Sequence, residues 1–354
     1  MLNVIVPRQR SIELETERLT IRMLGRGDVT EFTRYRNIES VARFQDWPLP
    51  YTRDLAHELV DELEVLNGPT SGGWVQLAID AGSGIIGDVA VWLDDDSTFA
   101  ILGYTLAPEH QGRGFAVEAV GAVVDWLFRR RRVHRIVATI DPRNLASARV
   151  LERCGFEYVG TARRSAFVRD EWADDTRFSL LEEDWRAWCS RPTGPPREVT
   201  LIEVTHDNVG AVGSIDRSFS QRDLVAPVLV SLAEALVPPT VGGEPIRPWI
   251  RAVEADGELV GFVMMAEPYV GRPHPYLWRF LIDPRHQGRG IGRRVVLDIA
   301  RRRREEGCTH IRVNFVPDAV GSPGRFYTSL GFVPTGAVHD GEVEALLDLA
   351  TLPD

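Results

Sequence analysis

Residues Leu281–Gly292 read LIDPRHQGRGIG. The apolar run Leu277–Ile282 leads into this stretch as a strand, and Asp283-Pro284 ends it. After the glycines an amphipathic run, Arg293–Arg304, carries Val295, Val296, Ile299 and Ala300 at helical spacing. A strand, a glycine loop and a helix start form a phosphate-binding layout. Glycines let backbone N–H groups approach an anion, and the helix N-terminus adds partial positive charge. A single GxG loop is a common turn, but this chain contains the stretch twice. The first copy is Leu106–Ala116, LAPEHQGRGFA, again between an apolar run and a helix, Val117–Phe128. Gln287 lies 176 residues after Gln111. Gly331 in Leu330-Gly331-Phe332 lies 176 after Gly155 in Cys154-Gly155-Phe156, and Arg135–Ile140 and Ile311–Val316 are strand-like runs in matching places. A shared spacing over motifs this far apart means two copies of one domain.

The 354 residues suffice for two full cores. An apolar share of 44% with 26% charged residues is ordinary globular composition. A net charge of −10 argues against nucleic acid and for cationic partners. All 41 basic residues are Arg, so self-acetylation on a lysine side chain is excluded. Cys154, Cys189 and Cys308 fit neither a disulfide framework nor a metal-ligand spacing. The first residues, MLNVIVPRQR, lack a leader's apolar core, and no run approaches the length of a membrane span; the expected location is the cytoplasm.

Further strands are expected at Thr16–Arg22, Trp74–Ile79, Ile85–Leu93, Phe99–Leu106 and Phe178–Leu181, with Asp28 capping a helix from Val29. Helices are expected over Tyr51–Leu66 and Ala146–Arg153. Ser190–Pro196, SRPTGPP, has linker composition. The expected domains are therefore 1–189 and 200–354 around a 190–199 linker. The second should hold a helical Phe219–Leu236, strands at Trp249–Val253 and Leu259–Met265, and a closing strand at Val343–Leu349. Both halves read as mixed α/β with one central sheet.

These motifs resemble those of the GNAT acyltransferases. The (Gln/Arg)-x-x-Gly-x-(Gly/Ala) pattern matches Gln111–Ala116 and Gln287–Gly292, and the later Gly-Phe pair also fits. The resemblance implies a splayed pair of central strands holding pantetheine, acetyl-CoA pyrophosphate on the loop amides, and direct transfer of acetyl to an amine. On that basis the second-copy cofactor site comprises Leu281, Ile282, Gln287, Gly288, Arg289, Gly290, Ile291, Gly292 and Arg294, with Arg289 and Arg294 adding charge. The first-copy equivalents are Leu106, Gln111, Gly112, Arg113, Gly114, Phe115, Ala116 and Asn144.

Tyr327 stands four residues before Gly331, where the family places a tyrosine that protonates the departing thiolate. The first copy has Leu151 there. With Glu15–Leu19, Asn144 and Ser147, the first half resembles the ribosomal-protein-alanine acetyltransferases. In that branch a serine matching Ser147 takes the tyrosine's place; the alternative for Ser147 is a helix cap. That branch often carries a Glu where this chain has Ile101. The second half resembles the bacterial diamine and spermidine acetyltransferases through Val225-Ala226-Pro227, Ser231–Ala235, Gly261–Met264 and Trp278–Asp283, departing from them at Val320. Its candidates for meeting a small cationic amine are Glu234, Glu267, His274 and Glu342. The expected chemistry is N-acetylation of a small amine by the second copy. The first copy either acetylates a protein N-terminus or serves as a non-catalytic CoA-binding or structural partner.

Overall fold

The computed structural model of the chain describes residues 11–317 and 320–352. The amino-terminal Met1–Arg10 read above lies outside the described residues. The chain divides into two compact units, 1–189 and 190–354.

The first unit is an eight-stranded sheet with the order β1-β2-β3-β4-β5-β6-β8-β7. Its strands are β1 (Glu13–Glu15), β2 (Thr20–Met23), β3 (Trp74–Asp80), β4 (Ile85–Leu93), β5 (Phe99–Leu106), β6 (Arg135–Ile140), β7 (Glu157–Val168) and β8 (Glu171–Leu181). Its helices are α1 (Val29–Arg36), α2 (Glu39–Ala42), α3 (Arg53–Leu63), α4 (Phe115–Trp126), α5 (Leu145–Arg153) and α6 (Glu182–Ser190). Of this unit's named strands, β5 and β6 pair in parallel, because α4 carries the chain back between them.

The second unit repeats this plan. It contains β9 (Val199–Ile202), a small ribbon of β10 (Thr240–Val241) and β11 (Glu244–Pro245), then β12 (Pro248–Ala255), β13 (Glu258–Ala266), β14 (Tyr276–Ile282), β15 (His310–Phe315), β16 (Val333–His339) and β17 (Glu342–Asp348). The main sheet has the order β16-β17-β15-β14-β13-β12-β9. Its helices are α7 (Val209–Gly213), α8 (Val228–Leu236), α9 (Ile291–Glu305) and α10 (Gly324–Ser329). The apolar residues of α9 expected from helical spacing, Val295, Val296, Ile299 and Ala300, are all buried, and Ile291 joins them. They pack on Val263, Met265, Leu277 and Val313 of one sheet face. A separate cluster on the other face joins Phe262, Met264 and Leu281 to α7 and α8.

Several elements depart from the sequence reading. Phe219–Leu236 is not one helix: a short turn at Phe219–Gln221 is followed by α8 only from Val228, because Pro227 cannot donate within a helix. Asp28 does not cap α1 with its side chain; its carboxylate accepts from Arg22 and from the Gly25 amide. The expected strand at Phe178–Leu181 is the end of a hairpin reaching from Glu157 to Leu181. That hairpin's outer part reads as polar loop, since Arg163, Arg164 and Ser165 give no apolar alternation.

Candidate active site

In the second unit the glycine loop is fixed from both ends. The Gln287 side chain donates to the Ile282 carbonyl at 2.9 Å. Asp283 accepts from the Arg285 amide at 2.9 Å and so tightens the turn. Gly288 and Gly290 both have φ of 77°, the left-handed region, and a Cβ on either would meet no atom within 4 Å. Gly290 is the N-cap of α9 and supplies no side-chain cap, so no cap side chain satisfies the first-turn amides. The first unit builds the same loop. Gln111 donates to the Leu106 carbonyl at 2.9 Å, and Gly112 and Gly114 have φ of 72° and 84°. Gly114 is the uncapped start of α4. Buried Phe115 and Ile291 anchor the two helix starts. Both loops therefore fit a pyrophosphate held by backbone N–H groups.

Beside each loop the two parallel strands splay. The β14–β15 ladder consists of Tyr276↔Arg312 and Leu277↔Val313, although β14 continues to Ile282 and β15 to Phe315. The β5–β6 ladder stops at Ile101↔Val137, although β5 continues to Leu106. Each pair forms a wedge whose walls carry peptide groups without a ladder partner between them, a slot for an extended amide-bearing chain. At the vertex of the second wedge the β13–β14 register shifts around Trp278. Such a bulge leaves one backbone group out of the ladder. The corresponding β4–β5 ladder of the first unit runs through without a shift.

Tyr327 lies on α10 and is 6% exposed. Its ring stacks with Phe315 at 6.0 Å and meets Phe326 and Phe332 edge-on. Its hydroxyl makes no hydrogen bond among the described residues. Burial, and then the neighbouring Tyr276 phenol, pushes its pKa well above the ordinary value. Tyr276, at the vertex, is itself pushed up to about 12 by burial and by Glu342.

Ser147 is not the cap of α5. That place belongs to Asn144, which accepts from the Ser147 amide at 3.1 Å. The Ser147 hydroxyl is instead 2.7 Å from the Tyr104 hydroxyl, which also lies 2.9 Å from the Ser147 carbonyl. Leu151 is fully buried.

The side chains of Arg289 and Arg294 turn to the linker. Arg289, 5% exposed, donates to the Gly194 carbonyl at 3.0 Å and contacts His286 Nδ1 at 2.9 Å. Arg294 donates to the Pro196 carbonyl at 2.6 Å. A buried guanidinium needs acceptors, and the linker's carbonyls supply them. Residues 194–198 are thus a strap on the second unit, held further by Asp256, which accepts from the Arg197 and Glu198 amides. What these arginines leave for an anion is backbone N–H.

The four acceptor candidates separate. Glu267 takes Arg303 in a two-pronged pair at 3.0 and 2.7 Å, toward the end of α9 away from the loop. Glu234 pairs with Arg279 at 3.2 Å. His274 lies against His310 with ring centroids 4.8 Å apart and planes tilted by 49°, and burial followed by that neighbour's charge lowers its pKa. Glu342 has no ion pair among the described residues and acts electrostatically on Tyr276.

Sequence reasoning missed Tyr104, Tyr276, Arg312 and Glu344. Glu344, 8% exposed, is held by Arg272 at 2.6 Å and Arg312 at 3.4 Å. Burial opposes its ionisation, but the hydrogen bonds from Arg312 and Thr335 outweigh that and keep its pKa below the ordinary carboxylate range. The alternation Ile311-Arg312-Val313-Asn314 was visible, but it reads equally as a solvated strand face.

Comparison with known proteins fits this geometry. The model of the acetyltransferase (GNAT) domain matches residues 18–157, and that of the acetyltransferase (GNAT) family matches residues 216–332. The chain belongs to the GNAT acetyltransferases, with one domain of the family in each unit. These enzymes use acetyl-CoA. The Bacillus subtilis protein named probable N-acetyltransferase YjcK is 42% identical over 85 residues, 24% of this chain and 47% of that protein. The Escherichia coli ribosomal protein uS5-alanine N-acetyltransferase is 34% identical over 84 residues, 24% of this chain and 43% of that enzyme. The spermidine N(1)-acetyltransferase of Vibrio cholerae is 26% identical over 174 residues, 47% of this chain and 95% of that enzyme. The chain thus spans about half the length of the first two relatives. Among solved structures, a ribosomal-protein-S5-alanine acetyltransferase from Vibrio fischeri aligns at a TM-score of 0.44 with 26% identity, covering 49% of this chain and 99% of that one. Among the described residues, no His, Cys, Asp and Glu group is placed to hold a metal, and no helix is long and apolar enough to cross a membrane.

Proposed function

We propose that the second unit transfers acetyl from acetyl-CoA directly to the primary amine of a small cationic acceptor. One observation carries this reading: the Tyr327 ring stacks on Phe315 of β15, a strand of the wedge whose vertex holds the Trp278 bulge, and its hydroxyl makes no hydrogen bond among the described residues. The bound cofactor supplies the thioester. Loop residues Gly288–Gly292 hold its pyrophosphate through backbone amides, and the bulge offers a backbone donor for charge on a carbonyl oxygen. Tyr327 serves the sulfur. A phenol held above its ordinary value near 10 remains protonated, while a thiol ordinarily titrates near about 8.5. Full proton transfer from Tyr327 is therefore uphill, and its main contribution is a hydrogen bond that strengthens as negative charge reaches sulfur. Glu342 is the carboxylate left for a cationic acceptor. The strongly acidic chain, and the presence of a spermidine acetyltransferase among its relatives, support a cationic amine.

Thiol release from acetyl-CoA by the full chain, measured across polyamines, monoamines, amino acids and peptides, tests the proposal. Turnover with polyamines above the other classes is expected. A chain that binds CoA yet turns over none of the amines would overturn it.

A further inference from the structure

Each glycine loop is tied to the segment that enters its unit's sheet ahead of the long strands, and the two ties use opposite chemistry. Strand register places the segments. In the first unit Ile21 pairs with Ile79, Ile79 with Gly87 and Gly87 with Leu106. In the second, Leu201 pairs with Val253, Val253 with Gly261 and Gly261 with Ile282. Both series end on the residue whose carbonyl accepts from the loop glutamine. Thr16–Arg18 and Pro196–Glu198, each ending three residues before Ile21 or Leu201, therefore hold the same place. The first segment supplies donors. Glu118, in the first turn of α4, accepts through Oε1 from the Thr16 hydroxyl at 2.6 Å and the Arg18 amide at 2.8 Å, and through Oε2 from the Arg18 guanidinium at 2.7 Å. Arg18 in turn donates to the carbonyl of Arg113, the residue between Gly112 and Gly114, at 3.0 Å. The second segment supplies acceptors. The 176-residue offset carries Glu118 onto Arg294 and Arg113 onto Arg289, and these donate to the Pro196 and Gly194 carbonyls. Asp256 fixes this segment by accepting through Oδ1 from the Arg197 and Glu198 amides at 2.8 and 3.0 Å.

We propose that these two segments are positioning elements of the CoA sites: they hold the residue between the loop glycines, and with it the backbone amides, in the anion-binding conformation before CoA arrives. This rests on reading both loops as pyrophosphate cradles. Two glycines at positive φ leave the residue between them free to turn, and ordering it only on binding costs affinity. One unit anchors that residue by its carbonyl and the other by its guanidinium. The anchored position is shared although no bond is. Charge gives a second, independent sign. Glu118 follows the first cradle by four residues, and Asp256 Oδ2 lies 3.8 Å from the Arg289 guanidinium in the second. Burial disfavours the Glu118 charge, yet hydrogen bonds from Thr16 and Arg18 hold its pKa below the ordinary carboxylate range. A carboxylate there repels a pyrophosphate directly and favours it only through what it holds in place. In the second unit the holding segment is the linker itself, which becomes a working part of that cofactor site.

Removing the acids separates the two effects, because they differ in sign. Full-length chains carrying Gly114→Glu or Gly290→Glu serve as parents that leave the second or the first loop open, and CoA affinity is read by calorimetry at low salt, where charge repulsion is strongest. On the Gly114→Glu parent, Asp256→Ala should weaken CoA binding about tenfold, as the loss of roughly one net hydrogen bond. Asp256→Asn keeps the Oδ1 acceptor without the charge and should bind CoA at least as tightly as the parent. On the Gly290→Glu parent, Glu118→Ala should likewise weaken binding about tenfold. Acids that act by charge alone predict tighter CoA in all three variants. Melting curves establish that each variant is folded. Unchanged or tighter binding in the folded alanine variants, or an Asp256→Asn chain as weak as Asp256→Ala, would overturn the proposal while leaving the loops as CoA sites. Parents that bind no CoA would overturn it together with that reading.

Discussion

Replacing Gly290 by alanine separates the cost of a backbone conformation from the cost of losing a ligand. Gly290 has φ of 77°, and a Cβ there meets no atom within 4 Å, so the substitution creates no clash. Gly307, just past the end of α9, has φ of 86° and equally open surroundings. An L-residue in the left-handed region costs ~1–2 kcal/mol, partly offset by the ~0.4–1 kcal/mol that the lost glycine freedom returns through the unfolded chain. Gly290→Ala and Gly307→Ala should therefore each destabilise the second unit by a similar amount, ~1 kcal/mol, in urea unfolding. Their effects on CoA should differ. A methyl group at Gly290 stands where an anion must approach the amides at the start of α9. Losing one hydrogen bond to a charged group is worth ~1.5–3 kcal/mol, or about 10- to 100-fold in affinity. Calorimetry on chains whose first loop carries Gly114→Glu reads the second loop alone. The expected outcome is weakened CoA binding in Gly290→Ala and wild-type binding in Gly307→Ala. Equal CoA affinity in the two, at equal stability, would refute the assignment of the pyrophosphate to this loop.

Tyr327→Phe removes no hydrogen bond to a described residue, so the melting temperature should barely move, while turnover at saturating amine falls ~10²-fold with acetyl-CoA affinity retained; full activity would leave the sulfur to another donor. Gly87→Ala should destabilise the first unit by ~1–3 kcal/mol, because its Cβ would stand 2.2 Å from the Thr105 carbonyl oxygen, and a melt matching the wild type would contradict that contact. The pKa values of Tyr35, Tyr104, Tyr276 and Tyr327 are all raised by burial above their unfolded value near 10. Their contribution to stability is complete below that pH and is lost as pH rises through the folded values. Phenolate absorbance from these four should thus lag behind that of free tyrosine and appear with unfolding. Titration of all seven tyrosines near 10 in the folded chain would be the contrary result.

The sequence by itself determined the duplication and both glycine loops, because these depend on local chemistry. Glycine is needed where φ is positive, proline and aspartate stop a strand, and an apolar stripe at helical spacing must be buried, so Gln111–Ala116 and Gln287–Gly292 were legible in one dimension. It also determined the position of Tyr327, which sits on α10 four residues before Gly331, the glycine just past that helix's end. What only the tertiary structure decided involves residues far apart in the chain. Arg289 and Arg294 resemble free cations at a helix start until the strap at 194–198 arrives with its carbonyls. Glu267 looks available until Arg303 folds back onto it. Tyr104 resembles an ordinary strand aromatic until the chain, 43 residues later, places Ser147 at its hydroxyl. A side chain's partner is set by which elements pack together, and the spacing of residues along one strand or helix carries no record of that.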